Sequence, residues 1–175
     1  MLLLLTWTAS MAVAGENIWL LVDTKALNLS INQGGKTLEV FDNIAIGKRG
    51  AGFKQRTGDE ITPLGDYKIG WIDTNSTYRL FMGITYPSLH DAKQARKRGL
   101  INERQFSAIA DADDWGYTPP QNTPLGGRIG IHGLGRADPK IHASMNWTKG
   151  CIALTNAQID RLRHWVTPGT VIKIK

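Results

Sequence analysis

Short apolar segments that alternate with polar residues recur along most of this chain, and they limit its fold more than any other feature. In residues 27–31 the apolar side chains stand at every second position, which is typical of a strand with one buried face. The continuous apolar run at residues 18–22 predicts a strand covered on both faces. Tyr67, Ile69 and Trp71 also follow the period of two and are predicted to share one face. Short strands at this spacing favour a sandwich or a barrel.

Three short helices are expected beside the strands. Ser88 and Asp91 form a capping signature ahead of one helix, and Thr155 and Gln158 form a capping box ahead of another. Residues 102–113 are the third candidate. Because the sequence has no internal repeat and no low-complexity linker, it predicts one mainly β domain with a few short peripheral helices.

The length and composition agree with a single globular domain. With 175 residues, 42% of them hydrophobic and 21% charged, the chain can bury an ordinary core, which excludes a disordered tail and a polytopic membrane protein. The formal net charge of +6 favours an anionic partner. Nucleic acid is not the expected partner, because the basic residues are scattered and no aromatic-bearing nucleic-acid motif accompanies them.

The first fourteen residues have the features of a secretory signal. Residues 1–14 carry no charged side chain and end in Ala12-Val13-Ala14, a small-x-small pattern that suits signal peptidase. The stretch is shorter than the roughly 20 apolar residues that span a bilayer, so no transmembrane segment is predicted. We expect a signal peptide at residues 1–14 and a mature, exported domain at residues 15–175. The alternative is that this stretch forms a buried first strand.

A glycine-rich basic loop at residues 47–59 holds Lys48, Arg49, Lys54 and Arg56. It lacks the spacing of a phosphate-binding P-loop and precedes no helix, so a solvated hairpin loop is expected. The alternative is an electropositive wall beside a site for an anionic substrate.

The chemistry of the chain is concentrated at one histidine and its single cysteine. His132 follows a short apolar strand candidate, and Cys151 stands further along in a T-K-G-C sequence. A thiol is a poor nucleophile until a base or a positive field raises its thiolate fraction, and imidazole is the usual partner. Gly150 allows a tight turn in which successive N–H groups could face an oxyanion. Taken singly, Cys151 could be a small buried hydrophobe and His132 a core histidine.

The spacing of these residues resembles the signature of the YkuD-type L,D-transpeptidases. His132-Gly133, a fifteen-residue gap and Thr148-x-Gly150-Cys151 match the family pattern of a histidine, a spacer of similar length, and Ser or Thr followed by His-Gly-Cys.

Further segments extend this resemblance over nearly the whole mature chain. The sequence T-P-L-G-D-Y at residues 62–67 looks like the T-P-x-G element of the family. Residues 84–87, 131–134 and 146–156 look like a small exported proteobacterial branch of it.

The resemblance implies a YkuD-like β-sandwich that acts on peptidoglycan stem peptides in cell-wall biogenesis and cell shape. In that family the cysteine attacks the carbonyl of the third stem residue, a diamino acid, and expels the terminal D-alanine. The resulting thioester passes to an amine or to water, so the acyl acceptor stays open between a second stem, a lipoprotein lysine and hydrolysis. No metal and no organic cofactor is implied. The expected location is the periplasm, and the expected state is a monomer.

The resemblance also implies roles for individual residues. Carried over by position, Cys151 is the nucleophile and His132 is the general base and later the acid. The backbone carbonyl of Gly133 would orient the imidazole. Gly150 and Cys151 would supply oxyanion N–H groups.

Two positions depart from the family pattern. Lys149 stands where the signature has histidine, and Ala153 stands where many members have arginine. With Thr148, Lys149 is assigned to the substrate-binding or oxyanion region. As a secondary positive group, Lys149 could favour the thiolate or bind a substrate carboxylate, and as a cation beside the thiol it is expected to hold the pKa of Cys151 below its usual value.

Other interpretations of the same residues remain open. A metal hydrolase could use His132, His142 and Cys151, although no metal-binding sequence motif accompanies them. A sortase would need an arginine soon after its cysteine, and here the first one is Arg161. A non-catalytic murein-binding module and a hydrolytic L,D-carboxypeptidase or amidase of the same fold are the remaining alternatives.

Overall fold

The structure, a computed structural model, describes residues 17–175. Its strands within this range are β1 (Ile18–Asp23), β2 (Asn28–Gln33), β3 (Lys36–Asp42), β4 (Ala51–Gly52), β5 (Thr62–Pro63), β6 (Gly65–Asp73), β7 (Phe81–Ile84), β8 (Gly130–His132), β9 (Ile152–Ala153) and β10 (Val171–Ile174).

Eight of these strands form one mixed sheet in the order β3-β2-β1-β10-β6-β7-β8-β9. The pairs β1–β10 and β8–β9 are parallel, and the other neighbours in this sheet are antiparallel. Strands β4 and β5 form a separate two-stranded parallel ladder.

Strand β6 joins the two halves of the sheet. Its residues 65–68 pair with β10. From Ile69 onward the strand pairs with β7, and the register shifts between Ile69 and Trp71. Before the shift, the buried Ile69 lies on the core face of β6. Beyond the shift, Ile72 pairs with the core residue Met82 and takes the core face, so the neighbouring Trp71 lies on the opposite face. The prediction that Trp71 shares a face with Ile69 is therefore wrong, because the extra residue of a bulge reverses the alternation.

One hydrophobic core unites both halves of the sheet. It contains Leu20 and Val22 from β1 together with Met82 from β7 and Ile131 from β8, all of them fully buried. Burial of each such side chain stabilises the fold by about 1.5–3 kcal/mol. The prediction of a mainly β fold with few short helices is confirmed.

The helices of the described chain are α1 (Leu89–Lys97), α2 (Glu103–Asp114), α3 (Pro139–Ser144) and α4 (Asn156–Leu162), with a 3-10 turn at Arg163–Trp165. Both predicted capping signatures are confirmed. The hydroxyl groups of Ser88 and Thr155 each accept a hydrogen bond from the backbone N–H of the third residue of their helix, α1 and α4 respectively. Helix α3 was not predicted, although Asp138 caps it and Pro139 occupies its first position, a favourable start for a helix.

The predicted signal peptide, residues 1–14, lies outside the described residues. Within residues 17–175, no helix is long and apolar enough to cross a membrane.

Candidate active site

An open cleft of about 970 Å³ contains both members of the predicted cysteine–histidine pair. Its lining residues are Trp71, Asp73, Asn75, Ser76, Thr77, Tyr78, Phe81, Gln121, Arg128, His132, Trp147, Thr148, Lys149 and Cys151.

The sheet places Cys151 and His132 in one cleft. Asp73 pairs with Phe81, Phe81 with His132, and His132 with Ala153 across four adjacent strands. Directly paired residues point to the same side of a sheet. Cys151 immediately precedes β9, and its side chain lines the same cleft as His132.

His132 is held in a defined orientation. Its Nδ1 lies 2.7 Å from the Gly133 carbonyl oxygen, which can only accept, so Nδ1 carries the hydrogen. In the neutral ring Nε2 then keeps its lone pair. The side chain is 3% exposed, and its ring packs against Tyr78 at 4.4 Å and Trp147 at 5.8 Å between centroids. Burial lowers the pKa of His132, which favours the neutral base near neutral pH.

Two glycines admit the aromatic side chains that form one wall of the cleft. The indole of Trp71 occupies the space that a side chain at Gly83 would fill, and the Phe81 ring lies 2.7 Å from where a Cβ at Gly130 would stand. The Trp71 and Phe81 rings are 5.9 Å apart. This aromatic wall was not predicted from the sequence, although glycines within strands can mark such close approaches.

The surroundings of Cys151 favour the protonated thiol. Its S–H donates to the Arg128 carbonyl, with 3.6 Å between sulfur and oxygen. Burial raises the pKa of the thiol to about 11, against smaller opposing effects of a backbone hydrogen bond at Gly130 and the charge of Lys54. The expectation that Lys149 holds the pKa of Cys151 below its usual value is therefore wrong. The loss of solvation at the sulfur outweighs the effect of the positive charge, which comes from Lys54.

This raised pKa predicts a steep pH dependence of thiol alkylation. With a pKa of about 11, the thiolate fraction and hence the rate with iodoacetamide should rise about tenfold per pH unit from about pH 7 to about pH 10. Since Cys151 is the chain's single cysteine, the rate reports this site alone, and Cys151→Ser serves as the blank. A rate that levels off below about pH 8 would contradict the raised pKa.

The turn before Cys151 is fixed by Thr148. The Thr148 hydroxyl donates to the Cys151 carbonyl at 2.7 Å and accepts from the Gly150 N–H at 3.1 Å. Gly150 has φ +125°, and a Cβ there would approach the Ile61 carbonyl oxygen to 2.7 Å, so this position requires glycine. In this state the Gly150 N–H is engaged, which leaves the Cys151 N–H as the remaining candidate of the predicted oxyanion pair.

Part of the basic loop is buried, contrary to the prediction of a solvated hairpin. Lys54 is 2% exposed, pairs with the buried Asp59 carboxylate, and donates to the Arg56 carbonyl at 3.3 Å. The Asp59 carboxylate also accepts backbone N–H groups of the loop, including that of Gln55. Burial of the ion pair fixes the loop beside the site, a possibility that charge counting alone does not reveal.

His142 does not line the cleft. It is buried, and its Nδ1 accepts from the indole N–H of Trp147 at 3.3 Å. In residues 17–175, His, Cys, Asp and Glu side chains do not gather in groups of three that could hold a metal ion. The His132–His142–Cys151 metal site considered from the sequence is therefore not assembled.

The chain matches the model of one protein family. The sequence profile of the L,D-transpeptidase catalytic domain (YkuD) matches residues 17–174. No curated protein matches the chain significantly.

Solved structures share the fold at low sequence identity. The helical cell shape determining protein Pgp2 from Campylobacter jejuni superposes with a TM-score of 0.63 at 22% identity, and Bd1075 from Bdellovibrio bacteriovorus with 0.56 at 20%. A cysteine-to-serine mutant of Enterococcus faecium L,D-transpeptidase gives 0.52 at 16%. These matches cover 93%, 95% and 91% of this chain but 48%, 50% and 50% of the others. The chain thus spans about half the length of these structures, and the likeness concerns the fold.

Proposed function

The chain belongs to the YkuD family of L,D-transpeptidase catalytic domains, and on this premise we propose that it is a cysteine-dependent acyltransferase acting on peptidoglycan stem peptides. In the proposed reaction, Cys151 cleaves the bond between the third stem residue and the terminal D-alanine. The acyl group then moves from the cysteine thioester to an amine or to water.

The first half-reaction forms the thioester. His132 Nε2 takes the thiol proton while Sγ attacks the carbonyl carbon, which gives a tetrahedral oxyanion. The Cys151 N–H is the proposed donor to that oxyanion. As the C–N bond breaks, its electron pair stays on the nitrogen and the proton passes to that nitrogen from His132, so D-alanine leaves with a neutral amine and its carboxylate.

The second half-reaction restores the thiol. An amine or water attacks the thioester carbon and gives a proton to His132, the C–S bond breaks, and the sulfur takes the proton back. A diamino-acid side chain would give a crosslink, a lipoprotein lysine would give anchoring, and water would give a trimmed stem.

One observation carries this proposal: Cys151 and His132 share a cleft, and the Gly133 carbonyl leaves Nε2 as the unprotonated nitrogen. A protonated thiol needs a base to become a nucleophile, and a buried histidine with a lowered pKa supplies one. The Gly133 carbonyl takes the orienting role that a carboxylate has in serine proteases.

Muropeptide products test the proposal and identify the acceptor. Incubation with purified tetrapeptide muropeptides should release D-alanine and yield crosslinked dimers or tripeptide stems, which mass spectrometry separates. Dimers would indicate an amine acceptor, and tripeptides alone would indicate hydrolysis. If folded protein leaves the tetrapeptides unchanged, the enzymatic proposal fails and the non-catalytic murein-binding module becomes the better interpretation.

We further propose that the protein works in the periplasm, where its peptidoglycan substrate lies. This rests on the predicted signal peptide at residues 1–14, and N-terminal sequencing of the mature protein, expected to begin at Gly15, tests it.

A further inference from the structure

A second cleft adjoins the catalytic one. It has a volume of about 750 Å³ and is called here the basic cleft. Its lining residues are Lys54, Thr57, Gly58, Gln121, Asn122, Thr123, Gly126, Gly127, Arg128, Ile129 and Lys149. Gln121, Arg128 and Lys149 line both clefts and so form their common wall.

The charges of the basic cleft are all positive. Three cations line it, and none of its lining residues in the described chain is Asp or Glu. The charge of Lys54 is balanced by Asp59. Arg128 and Lys149 are exposed, and neither belongs to an ion pair among residues 17–175. The common wall therefore presents two positive charges without a partner carboxylate.

The backbone at Arg128 is anchored next to the nucleophile. Its carbonyl accepts from the Cys151 thiol, and its N–H donates to the Gln121 side-chain oxygen at 2.7 Å. The Gln121 amide in turn donates to the carbonyls of Tyr86 and Pro119 at 2.9 Å and 2.8 Å. These bonds hold Arg128 at φ +54°, a conformation that a non-glycine residue keeps only when its surroundings fix it. The guanidinium thus extends from a fixed point beside the sulfur.

We propose that Arg128 and Lys149 bind the free α-carboxylate of the leaving amino acid, and that the basic cleft is the leaving-group side of the site. This inference rests on the proposed function. Three bonds separate the scissile carbonyl carbon from the carboxylate carbon of a terminal residue, which places them within about 4 Å of each other. A carboxylate that leaves from Cys151 therefore departs within reach of the Arg128 and Lys149 side chains.

Carboxylate binding at this wall would make the enzyme act only at the end of a stem. Charge-assisted hydrogen bonds from a guanidinium or ammonium are about twice as strong as neutral ones, and a neutral carboxamide cannot replace the anion. A stem extended by one residue would carry its carboxylate up to about 3.8 Å further from the sulfur, so the same two cations would not meet it in the same place.

Two donors that differ only in terminal charge test this site in the full chain. One is a tetrapeptide stem with a free terminal carboxylate, and the other is the same stem with a terminal carboxamide. The parent should acylate Cys151 with the acid faster, by at least about 10-fold in kcat/KM. In the Arg128→Gln and Lys149→Gln double variant, the preference should shrink to about threefold or less. Arg128→Lys keeps the charge and should keep most of the preference.

Lys93→Gln is the matched control, since it removes one positive charge from the exposed face of α1 and should leave the preference unchanged. Equal rates for the two donors in the parent would overturn the carboxylate site while leaving Cys151 acylation intact. A preference that survives in the double variant would also overturn it. If neither donor acylates Cys151, the proposed function itself fails, and the carboxylate site fails with it.

Discussion

Cys151→Ala should lower D-alanine release from tetrapeptide stems by at least about 10⁴-fold, because the variant has no group that can form the acyl intermediate. Cys151→Ser should be nearly as inactive, since the same imidazole generates an alkoxide far less readily than a thiolate. Release of D-alanine is measured by coupled assay or mass spectrometry under conditions in which the parent turns over many times.

A stability measurement separates loss of chemistry from loss of fold. Cys151 is half-buried, and both replacements are no larger than cysteine, so circular dichroism should show an unchanged fold and a thermal midpoint near that of the parent. D-Alanine release at the parental rate from a folded Cys151→Ala variant would remove the cysteine from the mechanism.

His132→Ala should slow acylation by roughly 10²- to 10⁴-fold, the usual effect of removing a positioned general base. Because burial lowers the pKa of His132, the parental rate should fall only when the pH drops below the ordinary histidine range and the base becomes protonated. In a plot of acylation rate against pH, the variant should lack this fall in rate at acidic pH (the acidic limb). Single-turnover acylation measured across pH would reveal the difference. His164→Ala, at an exposed position, should keep both the rate and the acidic limb.

Equal acylation rates in His132→Ala and the parent would assign the base elsewhere. His142 is the next histidine along the chain, but its Nδ1 accepts from Trp147 and its ring does not line the cleft. Retention of activity in His132→Ala together with its loss in His142→Ala would overturn the proposed roles.

The strands and helix starts were predictable because their signals are local. The alternation of residues 27–31 and the capping residues Ser88 and Thr155 lie within a few positions of the structure that they determine. The direction of Trp71 was not predictable, because a bulge after Ile69 shifts the register against β7, and a single strand's sequence does not contain its partner's register. This bulge directs the Trp71 indole into the cleft that contains Cys151 and His132.

That His132 and Cys151 meet in one cleft was predictable from the sequence, but the electrostatic environment of the thiol was not. His132 and Cys151 stand out by spacing, whereas the pKa of the thiol depends on how much solvent the folded chain removes from the sulfur. Proximity in sequence suggested Lys149 as the cation acting on the thiol, yet the charge that lowers the thiol pKa comes from Lys54, about a hundred positions earlier in the chain. Such contacts arise from tertiary structure alone.

Intact-protein mass spectrometry after mixing with a tetrapeptide donor tests the central claim most directly. We expect a transient mass increase equal to the donor without its terminal D-alanine, located by peptide mapping to the peptide that contains Cys151. A carbapenem, whose reactive carbonyl resembles that of the acyl donors, should leave a longer-lived adduct on the same peptide, and Cys151→Ala should show neither. D-Alanine release without any adduct on Cys151, or an adduct that persists in Cys151→Ala, would contradict a cysteine-dependent acyltransferase.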